Sequence, residues 1–194
     1  MGHRRHQDHF GKKAKAEGFA ARSVYKLEEI NKRFSVIPRN GRVLDLGCSP
    51  GSWTNYVKRV GGADTRAVGI DLDEVPGYLG HQFIGSVFDV SVDQILEALG
   101  GPADLVMSDM APKTSGSRFT DHVRQMELAE QAFVLATSVL APGGTFVAKV
   151  FEGGEAHDFV TRVRPAFTKT KRVKPKATRK ESVEFFVVAL GRKP

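Results

Sequence analysis

The sequence predicts an α/β domain built on a mostly parallel sheet with helices on both faces. Three observations lead there. Short apolar runs rich in Val, Ile, Leu and Phe alternate with stretches of helical periodicity. Four of those runs end in or near an aspartate, at Asp45, Asp71, Asp89 and Asp109. The first run, RVLDL, passes into the glycine turn LGCSPG, which brings bare backbone close to whatever lies outside it.

Residues 21–33, ARSVYKLEEINKR, place Val24, Leu27 and Ile30 on one helical face. Pro38 to Gly41 interrupt the chain, RVLDL (42–46) reads as a buried strand, and SWTNYVKRV follows as a helix. RAVGID (66–71) is the second strand, and HQFIGSVFD (81–89) contains the third. SVDQILEAL starts on a Ser and has Ile95, Leu96 and Leu99 to bury before Gly100-Gly101-Pro102 stops it. ADLVMSD (103–109) is the fourth strand. After the loop APKTSGSRFTD a long helix carries Met126, Ala129, Phe133, Ala136 and Leu140 at three- and four-residue steps, and APGG ends it. TFVAKVF (145–151) is the fifth strand and a further helix covers 155–164. Two β-like runs around FTKTKRV and VEFFVVAL, joined by PKATRKES, close the chain. With no repeat and no long linker, one domain is expected over 1–194, residues 1–40 as a basic helical arm and 41–194 as the core.

A chain of 194 residues suits one such domain. No apolar run approaches the roughly 20 residues of a membrane span, and the first residues are too polar for a secretory leader. The single cysteine, Cys48, has no internal disulfide partner, which fits a reducing cytoplasm. His3, His6 and His9 match no closed zinc spacing, so no metal is expected and a solvated basic terminus accounts for them. The absence of an extra apolar face leads to the expectation of a monomer.

Charge divides sharply along the chain. Residues 1–42 hold eleven Lys/Arg against four Asp/Glu, residues 43–161 seven against sixteen, and residues 162–194 eleven against two. A single basic run is usually a solvated surface. Two of them flanking an acidic centre point to a polyanion, nucleic acid ahead of an acidic membrane surface.

In an open parallel sheet, ligands gather outside the carboxyl ends of the strands. Helix capping explains any one of the four aspartates, but not four at successive strand exits. The turn lacks the Gly-Lys-Ser/Thr of a P-loop and the GxGxxG of dinucleotide enzymes, which argues against a nicotinamide-dependent oxidoreductase. Acids at this edge oppose a phosphate and suit a ligand with hydroxyls and positive charge. Asp71 stands about 20 residues beyond the turn, where a ribose-binding acid is expected. S-adenosylmethionine, with its adenosine, sulfonium and amino group, fits.

The segments DLGCSPGSW, GIDLD, SDMAP and APGGTFVAKVF resemble the FtsJ/RrmJ family of RNA ribose 2′-O-methyltransferases, and the resemblance runs from about residue 10 to the terminal GRKP. It implies a Rossmann-like S-adenosylmethionine-dependent methyltransferase fold with a C-terminal antiparallel hairpin. The implied methyl acceptor is a uridine ribose of large-subunit ribosomal RNA, within a ribosomal particle. The family's Lys-Asp-Lys-Glu tetrad falls on Lys26 in RSVYKLEEI, Asp109 in SDMAP, Lys149 in VAKVF and Glu184 in SVEFFVVALG. For the cofactor, the resemblance points to Gly51 and Trp53 in the turn, Asp71 at the ribose, Asp89 near the adenine, and Asp109. Where the family has a Gly-Asp pair after its third strand, this chain reads GSVFDV. Alignment on DQILEAL selects Asp89 with a two-residue shift and leaves Val87 in the loop.

A ribose 2′-hydroxyl is a poor nucleophile until its proton is leaving, so the enzyme must align oxygen, methyl and sulfur and help remove that proton. Lysine ordinarily titrates near pH 10, and a second lysine and partial burial both lower that value. Lys149 is expected as base or orienting donor, with Lys26 tuning it and contacting the nucleotide. Glu184 then holds a lysine, and Asp109 orients lysine and cofactor. Taken alone, Lys149 also reads as a snorkelling strand end and Lys26 as half of a helix-surface pair; SDMAP beside them favours catalysis. Trp53 has a second reading as a cap on the core, while Tyr25 and Cys48 read as packing residues. Arg4, Arg5, Lys12, Lys13, Lys15 and Arg22, with Lys171, Arg172, Lys174, Lys176, Arg179 and Lys180, are expected to contact phosphates, which positions RNA without reading its sequence. Two other readings remain at this stage: a transfer-RNA methyltransferase, and a non-catalytic RNA-binding assembly factor.

Overall fold

The computed structural model describes residues 9–179 and 181–194. In chain order the elements are α1 (His9–Ala16), α2 (Val24–Phe34), β1 (Arg42–Leu46), α3 (Ser52–Gly61), β2 (Arg66–Asp71), β3 (His81–Ile84), α4 (Val92–Leu99), β4 (Ala103–Ser108), α5 (Arg118–Val139), β5 (Leu140–Phe151), α6 (Gly154–Val163), β6 (Phe167–Val173) and β7 (Glu184–Arg192). A 3-10 turn, Arg164–Ala166, joins α6 to β6.

The apolar runs form strands because each can be covered on both faces. Val43, Leu44 and Leu46 of β1 and Val68 and Ile70 of β2 are almost wholly buried, as a parallel strand between two helical layers requires. The strands form a single sheet in the order β3-β2-β1-β4-β5-β7-β6. β1 to β5 run parallel to one another, whereas β7 is antiparallel to both β5 and β6. One face packs on α4, α5 and α6 through Ile95, Leu99, Ala132, Phe146 and Phe159. The other packs on α2 and α3 through Leu27, Ile30, Trp53, Val57 and Phe186.

Local chemistry sets the element ends. Ser91 and Gln94 form a reciprocal capping box at the start of α4, satisfying two N–H groups that the first turn leaves open. Gly100 then ends the helix in the left-handed conformation, which glycine adopts without steric cost. One boundary differs from the expectation. Leu140 is the first residue of β5 rather than the last of α5, paired with Ala103, and the register jumps to Leu105–Thr145. The APGG segment bulges from the strand between those pairs.

Strand order reverses between β1 and β4, since the chain runs from β1 outward to β2 and β3 before crossing to β4. A crevice opens outside the strand ends at such a switch point.

Candidate active site

Gly47 shapes the crevice. It leaves β1 with φ +77, and a Cβ there would meet Met110 Cγ at 2.7 Å and Met110 backbone at 3.1 Å. Glycine therefore lets the β4 exit loop lie directly over the β1 turn. Asp71 ties the next strand in: its Oδ2 accepts from the Ser49 N–H at 2.8 Å and its Oδ1 from the Asp73 N–H at 3.0 Å. The resulting cleft has a volume of about 570 Å³. Asp71, Asp73 and Asp109 line it on the polar side, and Leu72, Val87, Phe88, Met110 and Leu128 supply apolar wall.

Beside it, four charged groups meet from four elements. Lys149 of β5 lies directly opposite Phe186 of β7, so Glu184, two residues away, shares its sheet face. Lys26 reaches down from α2, ion-pairs with Glu184, and holds its ammonium 5.8 Å from the Phe186 ring centre. Lys149 Nζ donates to the Asp109 carbonyl oxygen at 2.6 Å and stands 3.2 Å from Asp109 Oδ1. That second contact is an ion pair without hydrogen-bond alignment, so the buried Oδ1 keeps acceptor capacity. Lys149 is only 6% exposed and Glu184 9%. Charges this deep are costly unless paired, and here each lysine has its own carboxylate. The Gln125 amide steadies the strand from the far face by donating to the Lys149 carbonyl at 3.0 Å. A recess of about 400 Å³, bordered by Arg22, Ser23, Lys26, Arg179 and Glu184, opens outward from this group.

Residues 19–192 match the family model described as FtsJ-like methyltransferase. The chain belongs to the FtsJ-like methyltransferase family. Proteins named ribosomal RNA large subunit methyltransferase E resemble it over nearly its whole length. The one from Rhizorhabdus wittichii is 46% identical over 187 residues, covering 95% of this chain and 81% of that protein. The one from Desulforapulum autotrophicum is 44% identical over 191 residues, covering 96% and 93%. Among solved structures, a Plasmodium falciparum protein named as a ribosomal RNA methyltransferase superposes with a TM-score of 0.77 at 25% identity, over 90% of this chain and 98% of that one. The fold is accordingly a Rossmann-like methyltransferase fold with antiparallel C-terminal strands.

In this FtsJ-like chain the expected tetrad, Lys26, Asp109, Lys149 and Glu184, forms two separate ion pairs, Lys26 with Glu184 and Lys149 with Asp109, whose members Lys149 and Glu184 stand on adjacent strands. The expected cofactor residues divide. Asp71 and Asp109 line the cleft. Gly51 lies in the turn as the N-cap of α3, its N–H donating to the Cys48 carbonyl at 2.6 Å, and is not part of the lining. The Trp53 side chain does not reach the cleft. Its indole N–H donates to the Ser23 carbonyl at 3.0 Å and its ring lies 5.8 Å from that of Phe186, so it packs behind the charged group as core. Asp89 is not brought to the cleft either: it is exposed in the loop after β3, and Gly85, Ser86, Val87 and Phe88 form the wall there. In that loop Val87 turns inward and is 5% exposed, whereas Phe88 is 56% exposed.

Asp45, expected at the same edge, instead turns into the space beneath the turn. Its Oδ2 accepts from Thr54 Oγ1 at 2.7 Å, and that hydroxyl lies 2.7 Å from the Tyr78 OH. Burial pushes the Asp45 carboxyl up to about 7, opposed by the Thr54 hydrogen bond and reinforced by the charges of Asp109 and Asp71. Burial also raises the neighbouring Cys48 thiol, which suits a packing role rather than a nucleophile. Four charged cleft residues were not nominated from sequence: Asp73, Lys113, Arg124 and Glu127. Asp73 was within reach, being two residues beyond Asp71 in GIDLD; nothing local marks the others.

The two basic tracts meet in space. Arg22 Nη2 donates to the Ala177 carbonyl at 2.7 Å, joining the α1–α2 segment to the loop between β6 and β7. Arg172 is spent on a bidentate pair with Glu152 at 2.6 and 2.5 Å, and Lys174 donates to the Ser182 carbonyl. Arg4, Arg5 and Lys180, like His3 and His6, lie outside the described residues. Among the described residues no group of three or more His, Cys, Asp or Glu is placed to hold a metal, and no helix is long and apolar enough to cross a membrane.

Proposed function

We propose that this protein transfers a methyl group from S-adenosylmethionine to the 2′-hydroxyl of a uridine ribose in large-subunit ribosomal RNA, acting as a cytoplasmic monomer on a ribosomal particle. The observation that carries the proposal is the pairing of Lys149 with Asp109, which lines the acidic cleft, beside the pairing of Lys26 with Glu184 on the neighbouring strand. Relatives named as large-subunit ribosomal RNA methyltransferases support the choice of acceptor.

The cleft suits the cofactor. Asp71 and Asp73 offer acceptors for ribose hydroxyls, and the apolar wall of Leu72, Val87 and Phe88 suits an adenine ring. Asp109 Oδ1, buried and short of a hydrogen bond, suits a cationic amino group. Bound S-adenosylmethionine supplies a methyl group already activated by its sulfonium.

The side chains supply the rest. We assign Lys149 the part of orienting donor or base for the acceptor hydroxyl, a reading supported by its pairing with Asp109 of the cleft. Asp109 anchors Lys149 through both its carbonyl and its carboxylate. Glu184 holds Lys26 over the outer recess, where Lys26 and Arg179 meet the incoming nucleotide. Positioning contributes most when each reacting group is held before the substrate arrives.

The test is transfer of labelled methyl to unmodified large ribosomal subunits, naked ribosomal RNA and bulk transfer RNA, with Lys149→Ala as control. Label on subunits, resistant to alkali as a 2′-O-methyl dinucleotide and lost in the variant, is expected. Label on transfer RNA alone would change the substrate and keep the chemistry. RNA binding with no label on any substrate would leave a binding protein.

A further inference from the structure

A second recess, about 550 Å³ in volume, shares Ala177 with the one at Lys26 and Glu184. It is built by three segments distant in sequence. α1 packs on α2 and on the 175–182 loop through Ala14, Phe19, Val24, Tyr25 and Ala177. The Arg22–Ala177 hydrogen bond and a second one from the Lys176 N–H to Glu29 Oε2, at 2.7 Å, clasp the loop to the helices.

The lining joins rings to cations. Phe10 is partly exposed, with its ring 5.6 Å from that of Tyr25 and the Arg22 guanidinium 5.4 Å from its centre. Tyr25 is buried and its hydroxyl donates to Glu17 at 2.9 Å, so it backs Phe10 rather than offering a free face. Lys13 sits 4.4 Å over the Tyr25 ring, and Lys32, Arg33 and Lys176 complete the border. Two carboxylates also line the recess: Glu28, paired with Lys32, and Glu29, paired with Arg33. They would repel a phosphate inside the recess, yet they accept hydrogen bonds from the amino groups of a base. One ring, Phe10, with acceptors inside and cations at the border matches an unpaired nucleotide, its base within and its phosphates outside.

We propose that this recess is a second nucleotide site, which holds the base of an unpaired nucleotide next to the methylated one in the substrate RNA. The inference rests on the RNA-methyltransferase reading above. Its position follows from the chain itself: Tyr25 and Lys26 are consecutive on α2, one bordering each recess, with Ala177 bordering both.

Phe10→Trp places a reporter at the site, because the chain's own single tryptophan, Trp53, is buried in the core. A single-stranded oligoadenylate of about twelve nucleotides, within the usual span of such sites, is the probe. Binding by anisotropy together with quenching of the new emission is expected. Phe10→Ala should weaken binding by about 5- to 100-fold while leaving the salt slope unchanged, since stacking releases no counterions. Lys13→Gln with Lys176→Gln should flatten that slope. Binding without quenching, and unaffected by Phe10→Ala, overturns the site and leaves the RNA reading standing. No binding even at low salt overturns the site, while the RNA-methyltransferase reading stands or falls separately on methyl transfer to large ribosomal subunits. Ultraviolet cross-linking of the unsubstituted protein to the same probe covers the case in which the variants misfold: a cross-link at Phe10 is expected, and cross-links confined to other segments refute the site.

Discussion

Asp45→Asn tests the electrostatics beneath the cleft. The Asp45 carboxyl is fully buried and its folded value is about 7, against 3.8 in the unfolded chain. The unfolded chain therefore ionises this group first as pH rises. Stability from the neutral folded carboxyl is complete below about pH 4, falls between about 4 and 7, and is lost above that. A difference of roughly three pH units corresponds to about 4 kcal/mol. Asparagine cannot ionise, so Asp45→Asn should gain most of that amount relative to the parent as pH rises from about 4 to about 7. The amide also places an N–H in a site where Asp45 Oδ1 has no partner, which costs about 1–3 kcal/mol at every pH. That offset moves the intercept and leaves the slope untouched. Urea unfolding followed by Trp53 emission across this pH range measures the difference, and other titrating groups cancel between parent and variant. A parent-minus-variant stability that stays flat with pH would refute the assignment of a neutral Asp45 at low pH.

Three further outcomes are expected. Gly47→Ala should cost about 1–2 kcal/mol for the left-handed backbone alone, and displacement of Met110 should weaken S-adenosylmethionine binding further, as titration calorimetry would show. Glu184→Gln leaves the half-buried Lys26 without its charge partner at the border of an open recess and should cost about 1–3 kcal/mol, with Lys26→Met in the same chain recovering part of it; additive losses in a double-mutant cycle would argue that the pair is not coupled. Arg172→Ala, despite its bidentate contact with Glu152, should change stability by less than about 1 kcal/mol, because both side chains are well exposed and solvent screens them. A larger loss in thermal denaturation would assign the Arg172 packing over Phe185 a greater share than its charge.

Much of the sheet could be read directly. RVLDL, RAVGID and ADLVMS became strands at or within a residue of their expected limits, because continuous apolar runs between glycine or proline breaks have few alternatives to a buried parallel strand. The long helix was right in kind and wrong at its end, where APGG proved compatible with both a helix stop and a bulged strand start. Trp53 carried a readable clue in Val57, four residues on, which placed both on the inward face of α3. Asp89 carried none, since residue counting cannot say which residues of the short GSVFDV loop turn toward the cleft.

Local pattern therefore determined the elements, the glycine turn and the acidic strand exits, all of which depend on neighbours a few residues apart. The site itself depends on distances of another kind. Lys26 and Glu184 are 158 residues apart in sequence, and only the β5–β7 register together with the packing of α2 makes them touch. The same holds for the turning of Asp45 away from the cleft and for the meeting of the two basic tracts at Ala177. Burial and long-range pairing decide where a side chain's charge is tolerated, and neither is a property of any short stretch of sequence.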